Sequence, residues 1–298
     1  MRAGLYPLAV DFGPALMAWY RPRERLYPWR RSRPDPYRIL VSEVMLQQTQ
    51  ASRVVPIYRS FLRRFPSVRA LAEAERADVI RAWNGLGYNR RAVALSEAAR
   101  TIVSTFGGKI PRHPDELCSL PGVGPYTAAA VASMAFGLRV PALDTNVRRV
   151  VARFVLGAEP TEVGASAVGG AAAELMDGPD PGRWNQAVMD LGRAVCRPAP
   201  RCGSCPVAGG CRYRRAGRRG GSALRRQGAF EGSFRQLRGA VVRALATGRP
   251  RTVATIAALA NQPTERVVLA LRALASDGMV WAGPKALAGD PRGRVRLG

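Results

Sequence analysis

The chain is almost without histidine and lysine. Its 298 residues include a single histidine, His113, and lysine only at Lys109 and Lys285. Histidine-based catalysis and a histidine-rich metal centre are therefore nearly excluded. Long apolar runs are missing too, because none approaches the roughly 18 residues that a membrane span needs, and the first residues lack the apolar core of a signal peptide. These absences predict a soluble protein of the cytoplasm.

Positive charge, by contrast, is in excess. The chain has 46 Lys+Arg against 21 Asp+Glu, a formal net charge of +25, and nearly all of it is arginine. A guanidinium group binds phosphate through a bidentate fork, and neutralising phosphates releases condensed counterions. We therefore expect a polyanionic partner. Composition alone leaves DNA, RNA and an acidic membrane surface open as that partner.

The pattern of apolar residues predicts an all-helical first part. From about Val10 to Gln186 they recur at helical spacing between short Gly and Pro breakers, and no convincing alternating strand appears. The segment Arg212 to Arg226 then holds seven arginines and few apolar residues. It is expected to be a flexible basic linker, or simply a solvated charge run.

The C-terminal part has the pattern of a winged helix. Helical periodicity resumes after Ser233 in three short blocks, and the end, Gly278 to Leu297, has the punctuation of a β-hairpin. Thr252 and Thr264 are expected to cap the second and third helices. Such modules bind DNA in some proteins and are structural in others, so the fold leaves the role of this one open.

Four of the five cysteines form a cluster with the spacing Cys-x5-Cys-x2-Cys-x5-Cys, which is typical of a metal site. Four thiolates without histidine suit a four-iron four-sulfur cluster or a structural zinc ion, and the spacing does not separate the two. The fifth, Cys118, is flanked by apolar residues and is expected to be a buried core thiol. The clustered residues are Cys196, Cys202, Cys205 and Cys211.

A helical hairpin is predicted between Leu117 and Phe136. Its turn contains Gly122, Val123 and Gly124, and Pro125 opens the second helix. Exposed amides at the start of a helix can hold a phosphate without any side chain, which suits sequence-independent binding of DNA. A plain turn between packed helices is the alternative interpretation.

About twenty residues after this hairpin, Asp144 stands where an N-cap is expected, and capping alone is the ordinary role of such an aspartate. The order of hairpin, aspartate and cysteine cluster resembles that of the helix-hairpin-helix DNA glycosylases, which include endonuclease III. That resemblance implies a two-lobed all-helical core with an iron–sulfur loop. It also implies that Asp144 faces the sugar of a nucleotide flipped out of the duplex.

Three further segments are similar to the MutY-type adenine glycosylases of that superfamily: residues 27–30, 42–50 and 185–192. The resemblance implies excision of adenine paired with 8-oxoguanine or guanine. In this family Glu43 would be the general acid that protonates N7 of adenine, a role that requires a protonated carboxyl and therefore burial. Asp144 would stabilise or attack the sugar cation, so that two carboxylates divide the work as in glycoside hydrolysis.

The same resemblance assigns further site residues. Tyr126 and Asn146 would form hydrogen bonds around the sugar and the aspartate, whereas Trp29, Arg30 and Gln186 would line the base pocket. Lyase-type members carry a lysine where this chain has Tyr126. Because tyrosine cannot form a Schiff base, the resemblance implies a monofunctional glycosylase. Tyr126 and Trp29 could also be ordinary core aromatics.

DNA contacts are implied at two more places. The segment 83–88 resembles the wedge loop of the family, whose apolar side chains enter the base stack. Leu86 and Tyr88 would be the wedge, and Gln48 would fill the space that the flipped base leaves, with Thr49 and the hairpin turn also on DNA. A tight turn with a core tyrosine is the plain alternative.

The similarity runs from about Val10 to Cys211, and the chain looks like a short form without the MutT-like C-terminal domain of many relatives. The expected partner is double-stranded DNA with mismatched or damaged pairs, bound by a monomer away from membranes. The cluster is favoured over zinc because the cysteines directly follow a MutY-like helix, although the first gap is one residue short. The expected domains are 1–29 with 138–212 (terminal helices and iron–sulfur loop), 30–137 (helical barrel with the hairpin), 213–229 (linker) and 230–298 (winged helix).

Two alternatives stay open. A mismatch glycosylase of the same fold could remove thymine or uracil opposite guanine, but an acid at N7 has meaning only for a purine. A DNA-binding regulator that senses redox state through the cluster is the second, and it would not require Glu43 and Asp144 together.

Overall fold

The computed structural model describes residues 12–30, 34–218 and 229–298, and in this part of the chain the protein is mainly helical. The helices are α1 (Phe12–Tyr20), α2 (Pro36–Leu46), α3 (Ala51–Arg64), α4 (Val68–Glu73), α5 (Arg76–Ala82), α6 (Arg90–Phe106), α7 (Pro114–Cys118), α8 (Pro125–Phe136), α9 (Thr145–Val151), α10 (Ala165–Leu175), α11 (Pro181–Ala194), α12 (Arg212–Arg215), α13 (Phe234–Leu245), α14 (Val253–Ala260), α15 (Thr264–Ser276) and α16 (Pro284–Leu287). The strands are β1 (Arg251–Thr252), β2 (Val280–Ala282) and β3 (Arg294–Leu297). No helix within the described ranges is both long and apolar enough to cross a membrane.

The chain forms two compact units. Among the described residues the first comprises residues 12–39, Arg112–Cys118 and 123–218, and the second comprises Leu40–Pro111, Ser119–Gly122 and 229–298. The C-terminal residues therefore share a unit with Leu40–Pro111. These boundaries differ from those expected from the sequence, where 230–298 was a separate domain.

The core of the first unit lies among α1, α9, α10 and α11. Its centre is aromatic, since the ring of Phe12 lies 4.7 Å from that of Phe154 and 6.3 Å from that of Trp184. Valines of α9 and α11 fill the space around these rings. After Val151 the helix continues as a short π-helix, Ala152–Leu156.

The C-terminal module, residues 229–298, has the predicted order of three helices and an antiparallel β2–β3 pair, to which β1 adds at the other edge of β3. Its core includes Val241, Leu271 and Val295, and it is continuous with Ile80 of α5 and Val93 of α6. This shared core joins the module to α5 and α6 within the second unit.

Thr252 caps α14 as predicted, since its hydroxyl accepts a hydrogen bond from the amide of Thr255 at 3.2 Å. The cap predicted at Thr264 is wrong. Thr264 is the first residue of α15 and Pro263 holds the N-cap position, with an extended backbone that the proline ring favours.

Two further expectations need correction. Arg212–Arg215 form α12 and Tyr213 is 2% exposed, so the arginine-rich segment begins as packed structure. Residues 219–228 of the predicted linker, like residues 1–11, lie outside the described residues. Cys118 is exposed because it ends α7, where Leu117 takes the inward position.

Candidate active site and cysteine loop

Asp144 caps α9, and both of its carboxylate oxygens accept hydrogen bonds. Oδ1 accepts from the amides of Asn146 at 2.8 Å and Val147 at 2.7 Å. Oδ2 accepts from the side-chain amide of Asn146 at 2.8 Å. A partly exposed carboxylate with three N–H donors is fixed in direction.

Asn146 also joins this aspartate to a buried arginine. Arg149 donates to Asn146 Oδ1 at 2.8 Å, to the carbonyl of Gly192 at 2.8 Å and to the carbonyl of Cys196 at 2.6 Å. Burial lowers the pKa of Arg149, and nearby Cys196 opposes that shift. One side chain therefore links α9, the end of α11 and the start of the cysteine loop.

The residues around Gln186 hold the segment before Asp144 in place. Asn185 is fully buried, and its side chain donates to the carbonyl of Val140 at 3.0 Å and accepts from the amide of Ala142 at 2.9 Å. A Cβ at Gly192 would lie 2.6 Å from Cβ of Asn146, so only glycine lets α11 approach α9 this closely.

Two of the predicted base-pocket residues meet at Tyr20. The Tyr20 hydroxyl donates to Gln186 Oε1 at 3.2 Å and accepts from Arg30 Nη1 at 3.1 Å. Arg30 also pairs with Asp190 at 3.3 Å. Burial raises the pKa of Tyr20, although the nearby Arg30 opposes the shift. The phenol therefore stays a neutral donor.

The third predicted pocket residue, Trp29, is 8% exposed and stacks on Tyr27 with ring centroids 4.9 Å apart. Tyr126, in the first turn of α8, directs its hydroxyl to the sulfur of Met189 at 3.7 Å. Both aromatic side chains have the packing contacts of core residues. Their roles in binding stay predictions.

Glu43 lies in α2 and is 5% exposed. Its neighbours along α2 are also buried, including Leu40, Val44 and Met45 at 2% or less and the polar Ser42 at 0%. A buried glutamate departs from the rule that acidic side chains face solvent.

The end of α2 is held by Arg91 of α6. Its guanidinium donates to the carbonyls of Val44 at 3.0 Å and Met45 at 2.9 Å, and also to that of Gln47. It donates further to the hydroxyl of Thr49 at 3.1 Å. Burial lowers the pKa of Arg91 to about 10, so the group remains charged at neutral pH.

Arg91 also orders the loop that the sequence predicts to be a wedge. It donates to the carbonyl of Gly87 at 3.1 Å, and its guanidinium lies 5.5 Å from the ring centroid of Tyr88. Tyr88 (φ 46°) and Gln48 (φ 55°) both have left-handed backbones, which are uncommon for residues other than glycine. Such strain persists only where surroundings enforce it, and it concentrates at functional sites.

The two predicted wedge residues differ in exposure. Tyr88 is 41% exposed, whereas Leu86 is 3% exposed and packs in the interior. Of the two, only Tyr88 therefore presents its side chain at the surface. Gln48 is exposed in the loop after α2.

The hairpin turn forms as predicted between α7 and α8. Gly122 has φ 75°, and a Cβ there would lie 2.7 Å from Cβ of Ala94, so both its backbone and its surroundings require glycine. Its carbonyl accepts from Gln47 Nε2 at 3.4 Å. Val123 is 6% exposed, and Gly124 is the N-cap of α8 with Pro125 next.

The four clustered cysteines line one cavity, together with Arg153 and Tyr213. In the described part of the chain, no three Cys, His, Asp or Glu side chains come close enough to hold a single metal ion. Burial raises the pKa values of Cys196, Cys205 and Cys211, that of Cys205 to about 11. Nearby Arg153 opposes the shift at Cys196.

Arg153 organises this loop from the π-helical end of α9. It is 1% exposed, pairs with Glu159 at 2.9 Å, and donates to the carbonyls of Arg197 at 2.6 Å and Pro198 at 3.0 Å. Its guanidinium also lies 3.7 Å from the sulfur of Cys196. Arg153, Arg149 and Arg91 were missed by the sequence reasoning, which treated arginine as charge for DNA. Arg149 and Arg153 share helical spacing with the buried residues Val147, Val150 and Val151, and that spacing could have predicted that both arginines are buried.

The chain is similar to known proteins over most of its length. The profile of the HhH-GPD superfamily, base excision DNA repair proteins, matches residues 41–166. The adenine DNA glycosylase of Mycolicibacterium smegmatis is 42% identical over 281 residues, covering 92% of this chain and 95% of that protein. That of Mycobacterium tuberculosis is 41% identical over 275 residues, covering 89% and 88%. A solved structure of a thermostable thymine-DNA glycosylase has a TM-score of 0.63 at 30% identity, covering 68% of this chain and 94% of that one.

The alignment with the Mycolicibacterium protein covers 92% of this chain. The uncovered part is shorter than residues 229–298, so the match extends into the C-terminal module. The hairpin, the capped aspartate and the cysteine loop lie in the order that the sequence analysis describes. The chain therefore belongs to the HhH-GPD superfamily of base excision DNA repair proteins and, within it, to the adenine DNA glycosylases.

Proposed function

We propose that the protein is a monofunctional DNA glycosylase that excises adenine paired with 8-oxoguanine or guanine, acting as a monomer. The observation that carries this proposal is Glu43, a nearly buried glutamate in a chain 42% identical to an adenine DNA glycosylase. A buried acid matters for a purine, because protonation at N7 makes the base a competent leaving group. It has no such use with a pyrimidine.

Glu43 supplies the proton in this mechanism. It is 5% exposed and so is held away from bulk solvent on α2. As the glycosidic bond breaks, the proton moves from the carboxyl oxygen to N7 and the electron pair of the bond leaves with the base. General-acid catalysis of this kind contributes roughly 10²–10⁴-fold to the rate.

Asp144 stabilises the positive charge that develops on the sugar. Its carboxylate is already oriented by the two amides and by Asn146, so little reorganisation accompanies the reaction. Water then adds to the sugar to give an abasic site. The hydrolysis needs no lysine, and Tyr126 stands at the lyase position, so the strand stays intact.

Base excision also needs the adenine outside the duplex. Gln48 and Tyr88 lie in two loops that Arg91 joins, and they are the side chains we assign to the duplex side. The amides at the start of α8 are assigned to a phosphate. Tyr20, Arg30 and Gln186 are assigned to the base pocket.

The test is to incubate the purified protein with duplexes that hold adenine opposite 8-oxoguanine, guanine or thymine, and to treat half of each sample with alkali. We expect free adenine from the first two duplexes, and strand breaks only after alkali. Release of thymine or uracil instead would contradict the assignment. Covalent trapping on DNA by borohydride would contradict the monofunctional route.

A thymine-releasing activity is the second candidate, because the thymine-DNA glycosylase structure is 30% identical. Duplexes with thymine or uracil opposite guanine belong in the same assay. A regulator that binds DNA without chemistry would release no base from any of them. Glu43 favours adenine over both alternatives.

We further propose that Cys196, Cys202, Cys205 and Cys211 hold a four-iron four-sulfur cluster. Four thiolates without histidine suit such a cluster, and all four cysteines line one cavity together with Arg153 and Tyr213. Zinc held by the same four thiolates is the alternative. When bound, the cluster would crosslink the loop and serve as a structural group.

The cluster can be tested by purifying the protein without oxygen. A brown colour with about four iron atoms per chain is expected, and Cys202→Ser should lose both iron and thermal stability. A colourless protein with one zinc per chain would favour the alternative.

A further inference from the structure

The three-stranded sheet of the C-terminal module has one core face and one exposed face. Along β3, Val295 and Leu297 are buried at 0% and 3%, whereas Arg294 and Arg296 alternate with them and are exposed. On β2 the exposed residue is Trp281, at 48%. The register places Trp281 directly opposite Arg296. We call Trp281, Arg294 and Arg296 the sheet face.

The sheet face is basic and partly preorganised. The guanidinium of Arg296 lies 5.3 Å from the indole centroid of Trp281, a cation–π contact that holds its planar fork over the ring. Arg292, just before β3, is exposed as well. From Val280 to Gly298 the one acidic residue is Asp290, and its carboxylate accepts the amide of Arg292 at 2.8 Å.

The third helix of the module offers a different surface. The exposed side of α15 carries Glu265, Arg266 and Leu269, and Leu269 is 56% exposed. Arg272, one turn further, donates to the carbonyl of Leu287 at 2.8 Å and is engaged within the module. This helix therefore has mixed charge and an apolar centre, which is a poor match for a phosphate backbone.

The module also touches the loop that we assign to the duplex. Arg235 of α13 donates to the hydroxyl of Tyr88 at 3.1 Å. Both residues lie in the second compact unit, which α5, α6 and the module join through one core. A duplex that contacts Tyr88 would therefore lie next to the module.

We propose that the sheet face binds the phosphate backbone of duplex DNA, with Arg294 and Arg296 on phosphates and Trp281 against the sugars. The module thus adds DNA contact through its sheet and not through its third helix. The chemistry is that of arginines neutralising a phosphate backbone. This inference depends on the proposed function in one respect, that the polyanion bound is DNA.

The test measures the affinity for an undamaged duplex of roughly 30 base pairs as salt is raised, since no base is released from it. In wild type, log K falls as log salt rises. Each lost phosphate contact makes this fall less steep by about one unit of slope, so Arg294→Gln/Arg296→Gln should make it less steep by about two. Arg243→Gln/Arg249→Gln removes equal charge from exposed positions elsewhere in the module and should keep the wild-type slope. Trp281→Ala should weaken binding with no change of slope, because the indole is uncharged.

Equal slopes in the sheet-face variant and wild type overturn the proposal, as does an equal loss in the Arg243/Arg249 control. A slope change with single-stranded RNA but not with the duplex also overturns it. Thermal unfolding checks that the variants fold, and the exposed positions make an unchanged Tm the expectation. If wild type releases no adenine in the mismatch assay, the proposed function fails, but the slopes still decide this inference.

Discussion

The two carboxylates that we assign to catalysis are held in opposite ways. Asp144 begins a helix and accepts three hydrogen bonds from N–H donors, whereas Glu43 lies inside a helix with apolar neighbours and is 5% exposed. Donors directed at both oxygens fix the direction of the Asp144 carboxylate. Glu43 is instead held away from bulk solvent, where we propose that it delivers a proton. The contrast teaches that a charge-stabilising group and a proton donor can be the same functional group in different surroundings.

The two sites share one structural device, an arginine that is at least partly buried at the helix that carries the carboxylate. Arg91 donates to carbonyls at the end of α2, and Arg149 donates to Asn146, which itself contacts Asp144. Arg149 is joined to Asp144 through one side chain, that of Asn146. Arg91 holds backbone carbonyls at the end of α2, whereas Arg149 also holds the Asn146 side chain.

The largest expected effect is that of Glu43→Gln. The amide has nearly the same shape but cannot donate a proton to adenine, so single-turnover base release should fall by about 10²–10⁴-fold. The decline of the rate at high pH that reflects loss of the acid's proton should disappear as well. DNA affinity should change little, because the phosphate contacts are untouched.

The control for that variant is Glu73→Gln, which changes an exposed glutamate at the end of α4. It should retain the wild-type rate. Near-normal base release by Glu43→Gln would contradict the assignment of a buried acid and remove one side of the comparison.

The next effect is that of Asp144→Asn, which should lower the rate by about 10²–10³-fold, the usual size of losing one electrostatic stabiliser. Asparagine caps helices about as well as aspartate, so stability should change little. The matched control is Asp180→Asn, because Asp180 caps α11 by accepting the amide of Arg183 at 2.9 Å. A rate as high as that of the Asp180 variant would make Asp144 a structural cap and nothing more.

The sequence predicted local features better than distant ones. The cap at Thr252, the hairpin turn at Gly122 and the N-cap position of Asp144 follow from short patterns, and the structure has them. The fold class and the family were also predicted correctly, because the order of the hairpin, the aspartate and the cysteine cluster can be read directly from the sequence. Cys118 was misplaced because apolar neighbours do not tell which way a helix end faces.

The arginines show why the rest could not be predicted. From composition alone, every arginine is counted as positive charge available to phosphate. Arg91 instead donates hydrogen bonds to carbonyls more than 40 positions away in the sequence. Arg153 likewise donates to the carbonyl of Arg197 in the cysteine loop. Such pairs become visible only once the helices have packed. Leu86 is a similar case, since its neighbours resemble a wedge but its side chain packs inside.

A third prediction separates the two arginine devices. Arg91→Met should lower the free energy of unfolding by about 3 kcal/mol, because several carbonyls and Thr49 lose a buried donor at once. Denaturant unfolding measures this. The neighbouring Arg90, with a 76% exposed side chain that pairs with Asp277 at 3.4 Å, provides the control, and Arg90→Gln should cost less than about 1 kcal/mol. Equal costs for both would mean that Arg91 does not anchor α2.

The smallest expected effect is that of Asn146→Ala. It removes one hydrogen bond to Asp144 and one from Arg149, and the bond to Asp144 is worth about 1 kcal/mol, so base release should fall by roughly fivefold. A loss of stability alone would lower the amount of folded enzyme without changing the single-turnover rate of what remains folded. The rate is therefore the decisive measurement, with unfolding measured beside it.

A double-mutant cycle with Asp144→Asn then tells whether Asn146 acts through the aspartate. If its side-chain amide serves to orient the carboxylate, Asn146→Ala should slow the wild type about fivefold but have almost no further effect in the Asp144→Asn background, because there is no carboxylate left to orient. Additive effects would mean that Asn146 contributes by another route, such as the packing of α11 against α9 at Gly192. In that case the extra side-chain link on the Asp144 side would be structural, and the two carboxylates would differ only in their surroundings.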